Sequence, residues 1–462
     1  MVEQTRDQDF DTIAAIATAP GLAGIGIVRI SGPDALRIAD ELFEGTRKPS
    51  HMQGFEAAYG WVKAKGERID EAIVLVMRGP KSYTRQDVVE FQCHGGPVVL
   101  RQVIEAALNA GARLAAPGEF TQRAFLAGRI DLAQAEAVAS LVFAQTGASA
   151  SAALRGLSGE LGGRIKTIRS DLVVLLAELE AGLDFSEEEL EFVSREQVRE
   201  RLENNLEQLG ELSKKAQAGM ILSEGIKLVI AGKPNVGKST LMNALLERDR
   251  VIVTPIPGTT RDVVEELIVI SGVPVRLSDT AGIREHADEI EREGVRRSRK
   301  AITEADLILL ILDASEPLSG KDRKLLKETS GLRRLALLNK IDRKRRLSKK
   351  DLTRLVNKEP VLEISAKKGT GLEKLRRKIE AMIWQGELSG EDALVSSQRQ
   401  LELIKQARAR LEQALEALDK KLSEEFMAAE LRKAIGALGE LTGATVSDEI
   451  LELIFSKFCI GK

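Results

Sequence analysis

The chain holds 462 residues, more than one hydrophobic core accommodates, so two or three domains are expected. Its 68 lysines and arginines against 70 aspartates and glutamates leave a formal charge of −2, which excludes a global positive field drawing the whole protein to nucleic acid or an anionic membrane. No run reaches the roughly 18 apolar residues of a membrane span. The opening residues have neither the basic start nor the apolar run of a secretion signal, and only two cysteines occur, Cys93 and Cys459. A reducing cytoplasm is the expected compartment.

Up to about residue 120, short β-type runs at Ile25–Ile30, Ala72–Met77 and Val88–Phe91 alternate with helix-like stretches after Gly32-Pro33 and Gly96-Pro97. A mixed α/β domain over 1–123 is predicted. Over 124–220 the strand signal disappears and Ala, Leu and Glu recur at helical spacing, as in Asp171–Glu180, predicting a first helical segment. At Gly225 the pattern changes again. Ile226–Ala231 reads as a buried strand, and further strands at 274–278, 307–312 and 335–338 alternate with helical stretches, predicting a doubly wound α/β unit over 221–382. Over 383–462 the helical pattern returns, with Leu401, Ile404, Ala407, Leu411 and Leu415 at spacings of three and four. Insertion is tolerated where two termini lie close together, so the two helical segments are candidates for one split bundle interrupted by the α/β unit.

Within that unit, Gly232-Lys-Pro-Asn-Val-Gly-Lys-Ser239 fits the P-loop pattern G-x-x-x-x-G-K-[ST] and stands between a predicted strand and a predicted helix. Such a loop wraps phosphates with backbone N–H groups. Lys238 is expected to neutralise the β and γ phosphates, and the Ser239 hydroxyl to ligate Mg²⁺. Four further signals follow in chain order. Asp279-Thr-Ala-Gly282 ends a strand, putting Asp279 near the metal and the Gly282 amide near the γ-phosphate. Thr259 and Thr260, in Gly258-Thr-Thr-Arg-Asp262, offer a hydroxyl to Mg²⁺ and γ-phosphate together. Asn339-Lys340-Ile-Asp342 caps another strand, and Ser365-Ala366-Lys367 follows a last one. A carboxylate at Asp342 accepts from the N1–H and N2–H₂ of guanine, whereas adenine has no such donor pair. The expected activity is GTP hydrolysis. The expected nucleotide-contacting residues are Asn235, Val236, Gly237, Lys238, Ser239 and Thr240, then Gly258, Thr259 and Thr260. Asp279, Thr280, Ala281, Gly282, Asn339, Lys340, Asp342, Ser365, Ala366 and Lys367 complete the set.

Many GTPases carry a water-orienting glutamine directly after D-x-x-G; here Ile283 occupies that position and cannot hydrogen-bond water. The orienting group must come from elsewhere, and Glu285, Asp288, Glu289 and Glu291 are the acidic candidates, most of them read as a solvated helix start. The transition state also needs positive charge. Either the amide oxygen of Asn235 holds a monovalent cation beside the phosphates, or Arg261 acts as an arginine finger.

These motifs, with Ala17–Pro33, Ser82-Tyr-Thr84, Asp87–Gly96, Ala116–Phe125, Asp131–Glu136 and the closing Phe455–Lys462, resemble the tRNA-modification GTPase MnmE (TrmE) family from end to end. The resemblance implies an N-terminal folate-binding-like dimerisation domain, a split helical domain and an inserted P-loop GTPase domain. It implies that Thr254, Pro255, Ile256 and Pro257 join the nucleotide site, and that the G domains pair in a K⁺-dependent way, with Asn235, the Thr254 and Ile256 carbonyls and the Thr259 hydroxyl as K⁺ ligands, Ser239 and Thr260 on Mg²⁺, and Glu291 as the water-orienting residue. It carries a tetrahydrofolate derivative, in its 5,10-methylene or 5-formyl form, to Arg29, Glu90, Arg129 and Lys462. Cys459 becomes a candidate active-site thiol, with a buried structural cysteine as the alternative. A homodimer is implied, working with the FAD-binding partner MnmG in a heterotetramer that adds a carboxymethylaminomethyl-type group to C5 of the wobble uridine of certain tRNAs. The alternative is a regulatory or ribosome- or RNA-assembly GTPase without modification chemistry. Two departures stand out: Arg85-Gln86 where relatives carry Gly-Glu, and Arg129 where relatives often carry Lys.

Two smaller signals remain. Cys93-His94 suggests a metal pair, but adjacent strand residues face opposite sides. Arg343-Lys-Arg-Arg346 with Lys349 and Lys350 is either a solvated loop or a tRNA-facing patch.

Overall fold

The structure, a computed structural model, describes residues 11–184, 193–249, 265–279, 300–356, 359–384 and 397–462. In chain order its first strands and helices are β1 Ile13–Ile16, β2 Ala23–Ser31, α1 Ala35–Leu42, β3 Phe43–Gly45, β4 Glu56–Ala64, β5 Glu67–Met77, β6 Val88–Gly95, α2 Pro97–Asn109, β7 Arg113–Leu114 and α3 Glu119–Leu126. Four helices follow: α4 Leu132–Val142, α5 Gly147–Leu157, α6 Glu160–Asp184 and α7 Arg195–Glu224. Then come β8 Ile226–Ala231, α8 Lys238–Asp249, β9 Glu265–Ile270, β10 Val273–Asp279, β11 Leu307–Asp313, α9 Gly320–Glu328, β12 Arg334–Asn339, α10 Lys349–Leu355, β13 Val361–Glu363 and α11 Leu372–Ile383. The last helices are α12 Gln398–Asp419, α13 Glu424–Thr442 and α14 Asp448–Phe455.

By its contacts the chain divides into two compact units. The described residues up to Ala139, with Gly156–Leu209 and Glu402–Lys462, form the first, and Ser140–Arg155 with the described part of Gly210–Leu401 forms the second. The segment around α5 therefore joins the second unit, where Ala148 and Ala152 pack into its core, rather than the run of helices in which it was expected.

In the first unit a seven-stranded sheet runs in the order β3-β4-β5-β6-β2-β1-β7, antiparallel except where β1 meets β7. One face is apolar and covered by α1 and α2, with Ile30, Val74, Phe91, Ile38 and Val103 in the core between them. Alternation along β5 buries Ala72, Val74 and Val76, as a half-covered antiparallel strand requires. Sequence reading missed β4, because its Glu-Ala-Ala-Tyr-Gly start is weakly β-forming and its tight turn into β5, Lys65-Gly66, has a lysine where asparagine is the usual signal. Both turn residues have positive φ, 52° and 83°, as a type I′ hairpin demands.

The helices from both ends of the chain meet in this same unit. α6 packs along α13, with Ile168, Leu172 and Leu175 buried on one helix and Leu431, Ala434 and Leu438 on the other, and Arg432 pairs with Glu180 at 2.6 Å. Of the stripe expected on α12, Leu401, Ile404, Ala407 and Leu411 are buried, but Leu415 is half-buried and Ala414 and Leu418 continue the buried face instead.

The second unit is built on a six-stranded sheet in the order β13-β12-β11-β8-β10-β9, parallel except for the β9/β10 hairpin. All seven residues of β11 and all six of β12 are buried, which is why Leu307–Leu312 and Leu335–Leu338 read as unbroken apolar runs. Sequence reading missed edge strand β9, although its Leu267-Ile-Val-Ile270 run is β-forming.

Candidate functional site

Each unit gathers one set of the side chains singled out in the sequence. In the second unit the chain leaves β8 at Ala231 and enters α8 at Lys238, and the P-loop makes that turn with Asn235 at φ 62° and Gly237 at φ 101°. A Cβ on Gly237 would stand 2.4 Å from Asn339 Nδ2, so this position needs glycine for space as well as for its backbone angle. Lys238 Nζ curls back into the loop and donates to the carbonyls of Gly232 (2.9 Å) and Lys233 (3.0 Å). The positive end of the α8 dipole faces the same loop, a backbone arrangement suited to phosphate. Ser239 and Thr240 are exposed on the first turn of α8, and Val236 is buried beneath the loop. Asp279 ends β10, in register with Ile230 of the parallel strand that feeds the P-loop.

Three loops at this sheet edge are tied by one buried amide. Asn339 Nδ2 donates to the Val236 carbonyl (2.8 Å) while its Oδ1 accepts from the Ala366 amide (3.0 Å). Lys340 donates both to the Asn235 carbonyl (2.6 Å) and to Asp313 Oδ2 (2.6 Å). Ser365 donates to Asp342 Oδ1 (2.6 Å); that hydroxyl first, with Lys368 and Arg343 nearby, holds the Asp342 carboxyl below the ordinary aspartate range. It is charged at neutral pH, as a partner for the two guanine donors must be. Lys367 is exposed on the same turn.

Asp313 was missed in the sequence. Burial pushes its carboxyl up, but hydrogen bonds from Lys340 and from the Ser315 hydroxyl and amide outweigh that and keep it ionised. The available signal was a carboxylate closing a wholly apolar strand, since such a group is buried only with a cation. Lys233 is likewise held, by Glu316 (2.9 Å) and Asp322 (3.2 Å). Thr254 to Arg261, Thr280 to Ile283, and Glu285, Asp288, Glu289 and Glu291 lie outside the described residues.

In the first unit, Arg29 on β2 stands directly opposite Glu90 on β6, and its Nε donates to Glu90 Oε1 at 2.7 Å. Arg29 also donates to the Gly461 carbonyl (3.1 Å) and lies over the Phe120 ring at 5.6 Å. The C-terminal tail thus closes on the pair. Arg129 lies over the Tyr83 ring (4.6 Å) and donates to the Tyr83 carbonyl, while the Tyr83 phenol, pushed up by burial, meets Thr121 at 3.0 Å. Beside them opens a groove of about 640 Å³ lined by Phe55, Met77, Pro80, Tyr83, Arg85 and Arg129. Lys462 is half-buried, and Cys459 is exposed, its carbonyl accepting from the amides of Gly118 and Lys462. Arg85 takes φ 62°, a conformation that favours glycine, and Gln86 Oε1 accepts from Ser31 and from Arg123, which is 2 % exposed. The Arg85-Gln86 departure therefore places a side chain on a strained turn and an amide beside a buried cation.

Cys93 faces the core, where burial pushes its thiol up to about 12, and the ring of exposed His94 pairs with Asp70 at 2.7 Å. The two side chains are on opposite faces of β6, as alternation along a strand requires.

A phosphate-wrapping loop between β8 and α8, joined through Asn339 to a carboxylate matched to guanine, defines the second unit as a P-loop guanine-nucleotide hydrolase. The domain family described as the MnmE helical domain matches residues 132–459, and that described as the GTP-binding protein TrmE N-terminus matches residues 12–129. The chain is 47% identical over 456 residues to the tRNA modification GTPase MnmE of Symbiobacterium thermophilum, covering 98% of this chain and 99% of that protein. It is 45% identical to that of Heliobacterium modesticaldum, covering 98% and 99%, and 42% identical to that of Thermotoga maritima, covering 98% and 100%. Among solved structures, Aquifex aeolicus Era bound to GDP and tetrafluoroaluminate is 28% identical, with 40% of this chain and 66% of that chain covered and a TM-score of 0.28. The chain belongs to the tRNA modification GTPase MnmE family. It binds GTP and hydrolyses it in the service of tRNA modification. Among the described residues no helix is long and apolar enough to cross a membrane.

Proposed function

We propose that GTP hydrolysis in the second unit drives a folate-dependent modification, in which the protein works as a homodimer with an FAD-binding MnmG partner in the cytoplasm. Together they add a carboxymethylaminomethyl-type group to C5 of the wobble uridine of certain tRNAs. The observation that carries the folate half is the Arg29–Glu90 pair, opposed across β2 and β6 and capped by the Gly461 carbonyl. A pterin edge presents adjacent donors and acceptors, for which a paired carboxylate and guanidinium are complementary, and its anionic glutamate tail suits Arg129 and Lys462. Tyr83 and Phe55, lining the adjoining groove, add aromatic surface for a flat ring. The exposure of Cys459 is compatible with a thiol acting at this site. The domain limits that accompany this reading are 1–123 for the folate-binding-like domain, 124–220 and 383–462 for the split helical domain, and 221–382 for the GTPase.

In the GTPase, backbone amides over Asn235–Thr240 and Lys238 hold the β and γ phosphates, and Asp342 with Ser365 and Ala366 reads the base. Asn339 and Lys340 fix the loops that do so. The exposed Ser239 hydroxyl at the α8 start and the exposed Asn235 side chain on the loop fit the oxygen ligation that Mg²⁺ and K⁺ require. Ser239 with Thr260 would hold Mg²⁺, and Asn235 with Thr254, Ile256 and Thr259 would hold K⁺; when bound, these ions neutralise charge that develops on the phosphates. Glu291 orients the attacking water in place of the glutamine that Ile283 replaces.

The folate half is tested by titrating the full-length protein with 5-formyl-tetrahydrofolate. Arg29→Ala or Glu90→Gln is expected to weaken binding at least about tenfold, the loss of one charge-assisted contact. Unchanged affinity in both variants would refute the pocket.

A further inference from the structure

We infer that the loop after Asp342, together with the Lys367-Lys368 turn, is an RNA-facing surface of the nucleotide-binding unit that grips the phosphate backbone of tRNA. The inference rests on the family's role in tRNA modification and names where this chain touches the nucleic acid.

Arg343, Lys344, Arg345 and Arg346 are consecutive and exposed, and Lys349 and Lys350, also exposed, follow within the same loop and the start of α10. The Lys367-Lys368 turn adjoins them. Ser365 donates to Asp342 at 2.6 Å, the Ile341 amide donates to the Ile364 carbonyl at 3.4 Å, and Lys368 and Arg343 both bear on the Asp342 carboxylate. The loop is anchored: the amides of Arg346 and Leu347 donate to the Ala314 carbonyl (2.8 and 3.2 Å), and Leu347 and Leu352 are buried.

Among the described residues, only Arg345 in this group forms an ion pair, with Glu363 at 3.0 Å. The other cations of the two loops outnumber the acid beside them, Asp342, and repel one another. Lys349 and Lys350 also open α10, the helix end where the dipole disfavours cations. Folding gives no reason for either arrangement, whereas a polyanion relieves both. With a formal charge of −2 on the chain, the attraction is a property of this patch and not of the whole protein. Forked guanidinium groups pair with phosphate and carboxylate alike; the family's work on tRNA is what favours RNA over an acidic protein face.

The test is binding of bulk tRNA to the full-length protein over a salt series. The variant Lys344→Ala, Arg346→Ala, Lys349→Ala, Lys350→Ala is compared with a charge-matched control on α9, Lys321→Ala, Arg323→Ala, Lys324→Ala, Lys327→Ala, all exposed positions of the same unit. The first variant is expected to bind at least about tenfold more weakly near 0.15 M salt, with the slope of log affinity against log salt shallower by about 3, since each lost phosphate contact removes roughly 0.7–0.9. The control is expected to stay within about twofold of wild type. GTP binding reports that the nucleotide-binding unit of each variant is folded, and the double variants Lys344→Ala/Arg346→Ala and Lys349→Ala/Lys350→Ala should each give about half the slope change. Unchanged affinity and slope in the first variant, an equal loss in the control, or a wild-type protein that does not bind tRNA would each overturn the proposal. So would intact tRNA binding with lost wobble modification in cells, which would assign the surface to a protein partner. The modified-nucleoside content of a strain lacking the gene tests the tRNA-modification role separately.

Discussion

Asn235 sits in the left-handed region with its carbonyl bound to Lys340, so the loop fixes its backbone while its side chain stays exposed. If that side chain holds K⁺, GTP hydrolysis by the wild-type protein should run at least about tenfold faster in KCl than in NaCl of equal ionic strength, as expected for a preorganised positive charge at the transition state. Asn235→Ala should erase the difference, checked by phosphate-release rates in the two salts; equal wild-type rates would count against a cation site. At this scale much was legible in the sequence. Lys238, Asn339 and Asp342 announce themselves by residue type and spacing: Lys238 opens α8, Asn339 closes β12 and Asp342 follows it. Asp313 did not, because its meaning depends on β11 lying in parallel register with β12, which sets Asp313 opposite Asn339 and within reach of Lys340. No spacing rule conveys a neighbour brought alongside by a sheet.

The C-terminal tail, from Phe455 to Lys462, is the element on which the first unit's candidate site depends. Phe455 and Phe458 are buried against Leu132 and Ala135, and Gly461 takes φ 92° where a Cβ would stand 2.6 Å from the Ile16 carbonyl. Gly461→Ala should therefore displace the tail, remove the carbonyl that Arg29 grips, and destabilise the protein by about 1 kcal/mol. Measured by 5-formyl-tetrahydrofolate titration and thermal melting, it is expected to weaken folate binding several-fold; wild-type affinity would separate the tail from the site. Elements dominated by an apolar run, such as β8, β11 and β12, were readable from the sequence, as were the cores of β2, β5 and β6. β4 was not, since its weak composition becomes strand only through the hairpin that pairs it with β5.

For the whole molecule, periodicity marked two helical segments and an α/β unit between them, but not which segments touch. That α6 packs along α13, and that Ser140–Arg155 travels with the nucleotide-binding sheet, are facts of tertiary contact that a helical repeat does not encode. If Arg29 and Glu90 hold reduced folate, one polypeptide joins a GTPase to a one-carbon site and the two act together on tRNA. The most direct test is mass spectrometry of nucleosides from bulk tRNA in a strain lacking this gene and complemented with the wild-type or Arg29→Ala chain. The carboxymethylaminomethyl-type wobble uridine is expected to disappear in the deletion, return with the wild-type gene and fail to return with Arg29→Ala. Unchanged wobble uridines in the deletion strain would contradict this expectation.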